Sequence, residues 1–378
     1  MIMKYTILTF FLSLILGMTL AHGAVILVSP GQSVQTAVNG ASNGDVIRVM
    51  PGNFADLNIV DKNLTIRKHS STPPVFGNIE VNGSMVKFIG IEATNLTARD
   101  TSNPTLLEVV QGYYSGLIDF NATEGNFRYA GIRRLSFIGK GSAVGCDFNG
   151  NSEGGIGISV EGDNTYLLVR NSHIHDYQFP HSTFIDEECI GIRARNGAEI
   201  QILNNLIERC SDTHRDGNNH SQPKAILIKD SASAYILGNL IQNCYSAYKS
   251  TRMVRAPIGT VFRNNMIVPK GGVGGGATAQ GFEGGVIGHD IILDVTDPLL
   301  NNDLTLASDS PCIDAGPPDP QYNDRDGSRN DIGMFGGHNF IPDGRTTNKP
   351  IVLGLDIAPI AVPTGGTVTI ESTGATVK

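Results

Sequence analysis

The chain has 378 residues, and 28 Lys+Arg against 36 Asp+Glu give a net charge of −8. Gly supplies 45 residues, Trp none, and charged residues only 17%, which excludes a Glu/Lys/Leu-rich coiled coil and a charge-rich disordered chain. An acidic protein with no basic tail is a poor nucleic-acid binder. Abundant Gly, Asn, Ile and Val with few aromatics point instead to many short strands joined by tight turns.

Lys4, the apolar run of residues 6–20 and the small residues around Ala21-His22-Gly23 have the form of a secretory signal, residues 1–23. The run is shorter than the ~20 residues that span a bilayer. The mature chain is therefore expected to be secreted or at the cell surface, with no membrane span. Ser33 opens a short amphipathic stretch, residues 33–39, that reads as a helix capping the first strands. Short β-rich runs follow at residues 46–49, 63–66, 78–81 and 85–89.

The middle of the chain repeats. Arg170-Asn-Ser-His-Ile174, Leu203-Asn-Asn-Leu-Ile207, Leu237-Gly-Asn-Leu-Ile241 and Arg263-Asn-Asn-Met-Ile267 share one pattern, and the shared Ile recurs at intervals of 33, 34 and 26. Before each lies another β-rich run: residues 155–160, 189–193, 225–229 and, less regularly, 253–255. A repeat of this length with no helical periodicity fits one coil of a parallel β-helix, each strand pairing about 4.8 Å from its counterpart in the next coil. Asn205, Asn239 and Asn265 fall two residues before the shared Ile, with Ser172 in the coil before, as a stacked turn would place them. At 25 to 30 residues per coil, residues 45–300 make roughly nine coils and a rod of about 45 Å.

Residues 271–285 hold eight glycines and read as a surface loop, a lid over a groove. The β-helix with its cap and end segment is assigned to residues 24–340, a linker to 341–350, and a short β-rich tail, too small for its own core, to 351–378.

The opening SVQTAVNGASNGDVIRVMPGNFADLNIVDKNLTIRK resembles secreted bacterial right-handed parallel β-helix proteins of the pectin-lyase-like group. The stretch from Asp297-Pro-Leu-Leu300 through Ser310-Pro-Cys-Ile-Asp-Ala-Gly316 and Asp324-Arg-Asp-Gly327 to Gly337 is similar to the end segment called a choice-of-anchor Q region. The resemblance implies an all-β, right-handed parallel β-helix and export. It does not choose a reaction, because the group mixes lyases, hydrolases and binding proteins.

Aligning coils on Ile158, Ile192, Ile228 and Val254 puts Ser159, Arg193, Lys229 and Arg255 outward in one column. Like charges 4.8 Å apart repel by about 0.9 kcal/mol per pair in water, and a polyanion laid along the column would turn that into attraction. Asp186, Glu187 and Glu188 precede the strand of Arg193. Asp212 and Asp216, with His214 and His220, precede that of Lys224 and Lys229. Carboxylates beside cations suit two chemistries. One is Ca²⁺ held by Asp186, Glu187, Asp212 and Asp216, with Arg193 and Arg255 neutralising a uronate and Lys229 or Lys224 removing its C5 proton for β-elimination. The other is acid–base hydrolysis by a carboxyl pair that includes Glu188.

Asp186-Glu-Glu-Cys-Ile190 resembles the Asp-Asp-Cys-Ile stretch of polygalacturonase-type hydrolases, but Glu replaces the aspartates and the Gly-His-Gly and Arg-Ile-Lys elements are missing, so those catalytic roles are not transferred. Tyr248-Lys249-Ser-Thr-Arg252 is similar to the Lys-Ser stretch of alginate- and chondroitin-lyase β-helices, which makes Lys249 a second base candidate and Arg252 a substrate contact. His173 and His175 flank Ile174 on one outward face and, with Asp176, suit substrate, metal or proton binding. Asp324, Asp326 and Asp331 have a Ca²⁺-loop-like spacing without its closing Glu and read as a polar end turn. Cys210 and Cys244, each three residues after the shared Ile, are placed for a disulfide or for an inward ladder of free thiols. The expected function is a monomeric lyase acting on an acidic polysaccharide. The alternatives are a glycoside hydrolase and a non-catalytic glycan-binding or structural surface protein.

Overall fold

A computed structural model of the chain describes residues 23–179, 189–212, 223–245, 251–268, 279–283, 292–293, 297–324, 326–337, 351–358 and 369–375. Residues 1–22, which hold nearly all of the expected signal, and residues 341–350, the expected linker, lie outside the described residues.

Runs in which alternate residues are Ile, Val, Leu or Phe bury one face only. Here each run pairs in parallel with the equivalent run of the next coil, and three sheets result. In one coil they are Cys189–Arg195 (sheet A), Glu199–Leu203 (sheet B) and Leu206–Glu208 (sheet C). Sheet B carries one unbroken inward column: Ile26, Ile47, Ile66, Phe88, Val109, Phe127, Ala143, Val169, Ile202, Ile236 and Phe262. Its ten steps of about 4.8 Å make a rod of roughly 48 Å. In sheet C the repeated Ile174, Ile207, Ile241 and Ile267 lie one over the next, as the sequence pattern required. All four are fully buried in the core. Parallel crossovers of this kind are right-handed, and the architecture is an all-β right-handed parallel β-helix.

Coils are less uniform than the repeat suggested. Neighbouring sheet B positions are separated by 16 residues at Asn126/Ser142 but by 33 at Arg170/Leu203. The shortest coils lie where Tyr113–Arg128 and Gly131–Val144 run round the corners as single bent strands, with register shifts in place of loops.

The turn between sheets B and C is held by a side-chain ladder. Asn205 N–H donates to Asn239 Oδ1 at 2.9 Å, and Asn239 N–H donates to Asn265 Oδ1 at 2.9 Å. Ser172 N–H donates to Asn205 Oδ1 at 3.0 Å, and Cys146 N–H to Ser172 Oγ at 3.1 Å. The residue before each rung is left-handed: Gly145, Asn171, Asn204, Gly238 and Asn264 have φ between 49° and 65°. That conformation admits Gly and Asn at little cost.

The helix Val34–Gly40 covers the N-terminal end. Ser33 Oγ accepts from Thr36 N–H at 3.1 Å, and Val34 and Val38 face the core. Among the described residues no helix is long and apolar enough to cross a membrane. In the glycine-rich segment, Ala279–Glu283 is a strand of sheet A paired with Thr251–Arg255, not loop; the rest of 271–285 lies outside the described residues. The tail strands Ile351–Ala358 and Thr369–Ala375 pair antiparallel.

Residues 297–337 lie along the rod's flank, on the outer face of sheet C. Leu306, Cys312 and Ile332 form a second apolar core with Leu206, Leu240 and Met266. Polar turn residues lock the edge: Asn171 Nδ2 donates to Gly336 O at 2.7 Å, and Asn204 Nδ2 to Asn330 Oδ1 and Asp331 O, both at 2.8 Å. Asp324 Oδ1 accepts from the Gly337 N–H, and Asp331 Oδ1 from Asp314 N–H at 2.8 Å. Asp326 Oδ1 caps its own turn through Ser328. These aspartates therefore serve as a polar turn knot.

Candidate functional site

Sheet A presents the cations, in a register that corrects the sequence alignment. Ile192 lies beside Ile226, not Ile228, and Ala194 beside Ile228. The outward column is therefore Ser159, Arg193, Leu227 and Arg255. Lys229 is two residues out of the expected line and donates its N–H to Ala194 O, which places it past the Arg193 column; its Nζ lies 3.8 Å from Asp230. The physical reason is the run Ala225-Ile-Leu-Ile228. Ile226 and Ile228 both fit an inward position, so a shift of two residues keeps every side chain on its face. Leu227 interrupts the basic column, leaving Arg193 and Arg255 two coil spacings apart, about 9.6 Å.

Polar neighbours fix parts of this face. Arg193 Nη2 donates to Ser159 Oγ at 3.2 Å, and Arg195 Nη2 to Glu161 at 2.7 Å. The Arg195 hydrogen bond holds the Glu161 carboxyl below its ordinary value. Lys224 is buried and stands beside Ile190 where its strand begins. Arg252, two residues before Val254, occupies the position that Lys224 holds before Ile226.

The strands that precede the two acidic segments are neighbours. Gln178–Phe179, which leads into 180–188, pairs in parallel with Ser211–Asp212, which leads into 213–222. Their exits, Ile190 and Lys224, are also neighbours. Asp186, Glu187, Glu188, His214, Asp216, His220 and Lys249 themselves lie outside the described residues, and Asp212 and Arg252 are described by backbone alone.

On the adjacent outer face of sheet C, at the root of those segments, coil stacking gathers a cluster from residues far apart in sequence. Asp147 lies beside His173 in the next coil, and His175 beside Glu208 in the one after. The two imidazoles stack at 3.8 Å and 14°. His173 Nε2 is 3.0 Å from Glu208 Oε1, and His175 Nδ1 is 2.6 Å from Asp176 Oδ2. The remaining nitrogens both lie near Asp147 Oδ1, His175 Nε2 at 2.9 Å and His173 Nδ1 at 3.6 Å. Arg209 Nε donates to Asp176 Oδ1 at 2.6 Å, and its Nη1 to Glu208. Gln242 Nε2 donates to Glu208 Oε2 at 2.8 Å.

Burial sets the electrostatics of the cluster. It lowers the His173 pKa, outweighing the Glu208 bond that raises it. It acts the same way on His175, but hydrogen bonds donated to Asp147 and Asp176 carry that imidazole above its usual value. Burial raises Asp176, yet Arg209 and His175 hold it down at about 2. Glu208 is lowered in the same manner by His173, Gln242 and Arg209 against the burial that raises it. The sequence shows His173 and His175 as an outward pair, whereas Asp147 and Glu208 belong to other coils and Arg209 follows Glu208. The available signal was the coil offset itself, which carries residue 173 back to 147 and residue 175 forward to 208.

Cys210 and Cys244, like the other three cysteines, are free and buried. They form an inward thiol pair in which the hydrogen bond to Cys244, followed by burial, pushes the Cys210 thiol well up.

No protein-family model and no curated protein matches the sequence. Among solved structures, a crystal structure of pectate lyase Pel9A is similar over 84% of this chain and 97% of that one, at 11% identity and a TM-score of 0.44.

Proposed function

We propose that the chain is an exported carbohydrate-active β-helix that takes an acidic polysaccharide along the outer face of sheet A and cleaves it by β-elimination. The observation that carries this reading is the outward column of Arg193 and Arg255, two coils apart, with Lys224 opening the strand of the coil between them. A polymer with a carboxylate at regular intervals meets cations at regular intervals, and bidentate guanidinium contacts suit carboxylates.

In the reaction, Arg193 and Arg255 hold substrate carboxylates and spread their charge. Lys224, once deprotonated, takes the C5 proton. The C5–H pair forms the C4=C5 double bond as the C4–O bond breaks, and the leaving oxygen gains a proton from an acid of the neighbouring segments. Incubation with alginate, pectate and chondroitin, with and without Ca²⁺, tests this by the ultraviolet absorbance of the unsaturated uronate. The expected result is product with one polymer, lost in Arg193→Ala and Lys224→Ala variants that keep the wild-type circular dichroism. No product from any uronate polymer refutes cleavage.

A second reading, binding without turnover, is favoured by the fixed pairs Arg193–Ser159 and Arg195–Glu161, which suit a rigid adhesive face. It predicts salt-sensitive retention on a polyuronate gel with no unsaturated product.

A further inference from the structure

The cluster of Asp147, His173 and His175 has an organisation that the polysaccharide reading does not use. Each imidazole gives one nitrogen to a carboxylate behind it: His173 Nε2 to Glu208 at 3.0 Å and His175 Nδ1 to Asp176 at 2.6 Å. A carboxylate only accepts, so both of those nitrogens carry hydrogen. Arg209 Nη2 also lies 3.2 Å from His175 Nδ1, but it has Asp176 Oδ2 at 3.1 Å to donate to, and the shorter Asp176 contact fixes the proton.

With those protons committed behind, the neutral imidazoles present lone pairs at His173 Nδ1 and His175 Nε2. Both lie near one oxygen of Asp147, His175 Nε2 at hydrogen-bond distance, 2.9 Å, and His173 Nδ1 at 3.6 Å. Two lone pairs gathered beside a carboxylate oxygen repel unless a positive charge sits among them. One proton on His175 satisfies the 2.9 Å contact; a metal ion satisfies both once the stacked rings, now 14° from parallel, tilt toward it.

We propose that Asp147, His173 and His175 form a binding site for a divalent first-row transition metal. The donor atoms lie within 4.8 Å of one another. Ligands about 2.1 Å from one ion stand roughly 3 to 3.5 Å apart, and the two distances to Asp147 bracket that range. Glu208 and Asp176 occupy the carboxylate–histidine–metal positions that fix the tautomer of each imidazole. Among the described residues of the cluster, Asp147, Asp176 and Glu208 against Arg209 leave two negative charges, which a divalent ion balances. Two imidazoles and one carboxylate suit Zn²⁺, Co²⁺, Ni²⁺ or Fe²⁺; Ca²⁺, which takes oxygens, does not fit. The Asp147 side chain is 54% exposed, which leaves the ion an open side for water or a ligand.

The site stands independently of the polysaccharide reading, since metal binding is measured without turnover. The full chain, stripped with chelator and dialysed, is titrated with Zn²⁺ by calorimetry and with Co²⁺ by visible absorption. The expected result is one saturable site, with Co²⁺ bands showing nitrogen ligation. Asp147→Asn and His175→Gln weaken it at least tenfold, and Glu208→Gln, which leaves the ligands in place, weakens it about 10-fold. Asp147 is exposed at the surface, so its variant also tests the site if a buried histidine variant misfolds. No saturable binding of either metal overturns the proposal and leaves an imidazolium in the gap. Binding that survives both Asp147→Asn and His175→Gln, with the fold kept, places the ion elsewhere and overturns it equally.

Discussion

Asn239 offers a direct test of what holds the coils in register. The residue is fully buried. Its Nδ2 donates to Ile202 O at 2.8 Å, Leu237 O at 3.0 Å and Asn265 Oδ1 at 2.9 Å. Its Oδ1 accepts from Asn205 N–H at 2.9 Å and Asn205 Nδ2 at 3.0 Å. Asn239→Ala removes all of these, but the losses are unequal. Leu237 O keeps the N–H of Asn204, Asn265 Oδ1 keeps the N–H of residue 239, and Asn205 Nδ2 keeps Val169 O. The Asn205 N–H loses its side-chain acceptor inside the turn. An orphaned buried donor costs about 1–3 kcal/mol, and the lost net hydrogen bonds add about 1 kcal/mol each, so a loss of about 3 kcal/mol is expected.

The chain supplies its own control for this substitution. At the equivalent rung, Ser172 Oγ accepts from Cys146 N–H and donates to Arg170 O at 2.9 Å. Asn239→Ser should therefore recover about half of the loss. Asn239→Asp should exceed it, because a buried carboxylate would face Ile202 O and Leu237 O. Urea denaturation, with hydrogen exchange at the Asn205 and Asn239 amides, reads the series. An alanine variant within about 0.5 kcal/mol of wild type, or a serine variant no better than alanine, would refute the ladder as a source of stability.

Three further outcomes follow from the flank and the core. Leu240→Ala should cost about 2–4 kcal/mol and show first as faster proteolysis within residues 297–337, because Leu240 belongs to the core that segment shares with the rod; unchanged cleavage would contradict that packing. Burial first, with Asp331 and Asp326 nearby, raises the Asp324 carboxyl to about 7. Its folded-state value thus lies above the ordinary 3.8, so its contribution to docking is complete below about pH 4 and is lost as pH rises through about 7. Linkage sets a ceiling near 4 kcal/mol, reduced to about 1–2 kcal/mol for a half-buried group screened by solvent. Proteolysis of the segment between pH 5 and 8 should accelerate upward, and Asp324→Asn should flatten the slope. Finally, burial pushes the Cys146 thiol up to about 12 and Cys312 to about 11. A disulfide reagent should leave the native chain unlabelled and titrate all five cysteines after unfolding; two missing thiols would mean a Cys210–Cys244 bond.

The sequence told most where the geometry allowed one residue type. A left-handed turn followed by a side chain that both donates and accepts along the axis selects Asn in coil after coil, so Asn205, Asn239 and Asn265 mark the stack in the sequence itself. The strand of Lys224 had no such pin. Ile226 and Ile228 are interchangeable as inward residues, and the basic column built on Ile228 failed for that reason. The cluster around His173 was half visible, because its partners are supplied by other coils and a linear reading shows only one rung. The flank segment was recognisable by motif, but its resting place was written in the outward column His173, Leu206, Leu240 and Met266, whose change from polar to apolar marks where the cover begins.

That cover has a temporal side. Asn171 meets its partner Gly336 across 165 residues. The coils bearing Leu206, Leu240 and Met266 are synthesised long before Ile332, so an apolar stripe lies uncovered throughout that interval. A nascent chain halted before residue 332 keeps the stripe bare, and such fragments should self-associate while the finished protein does not.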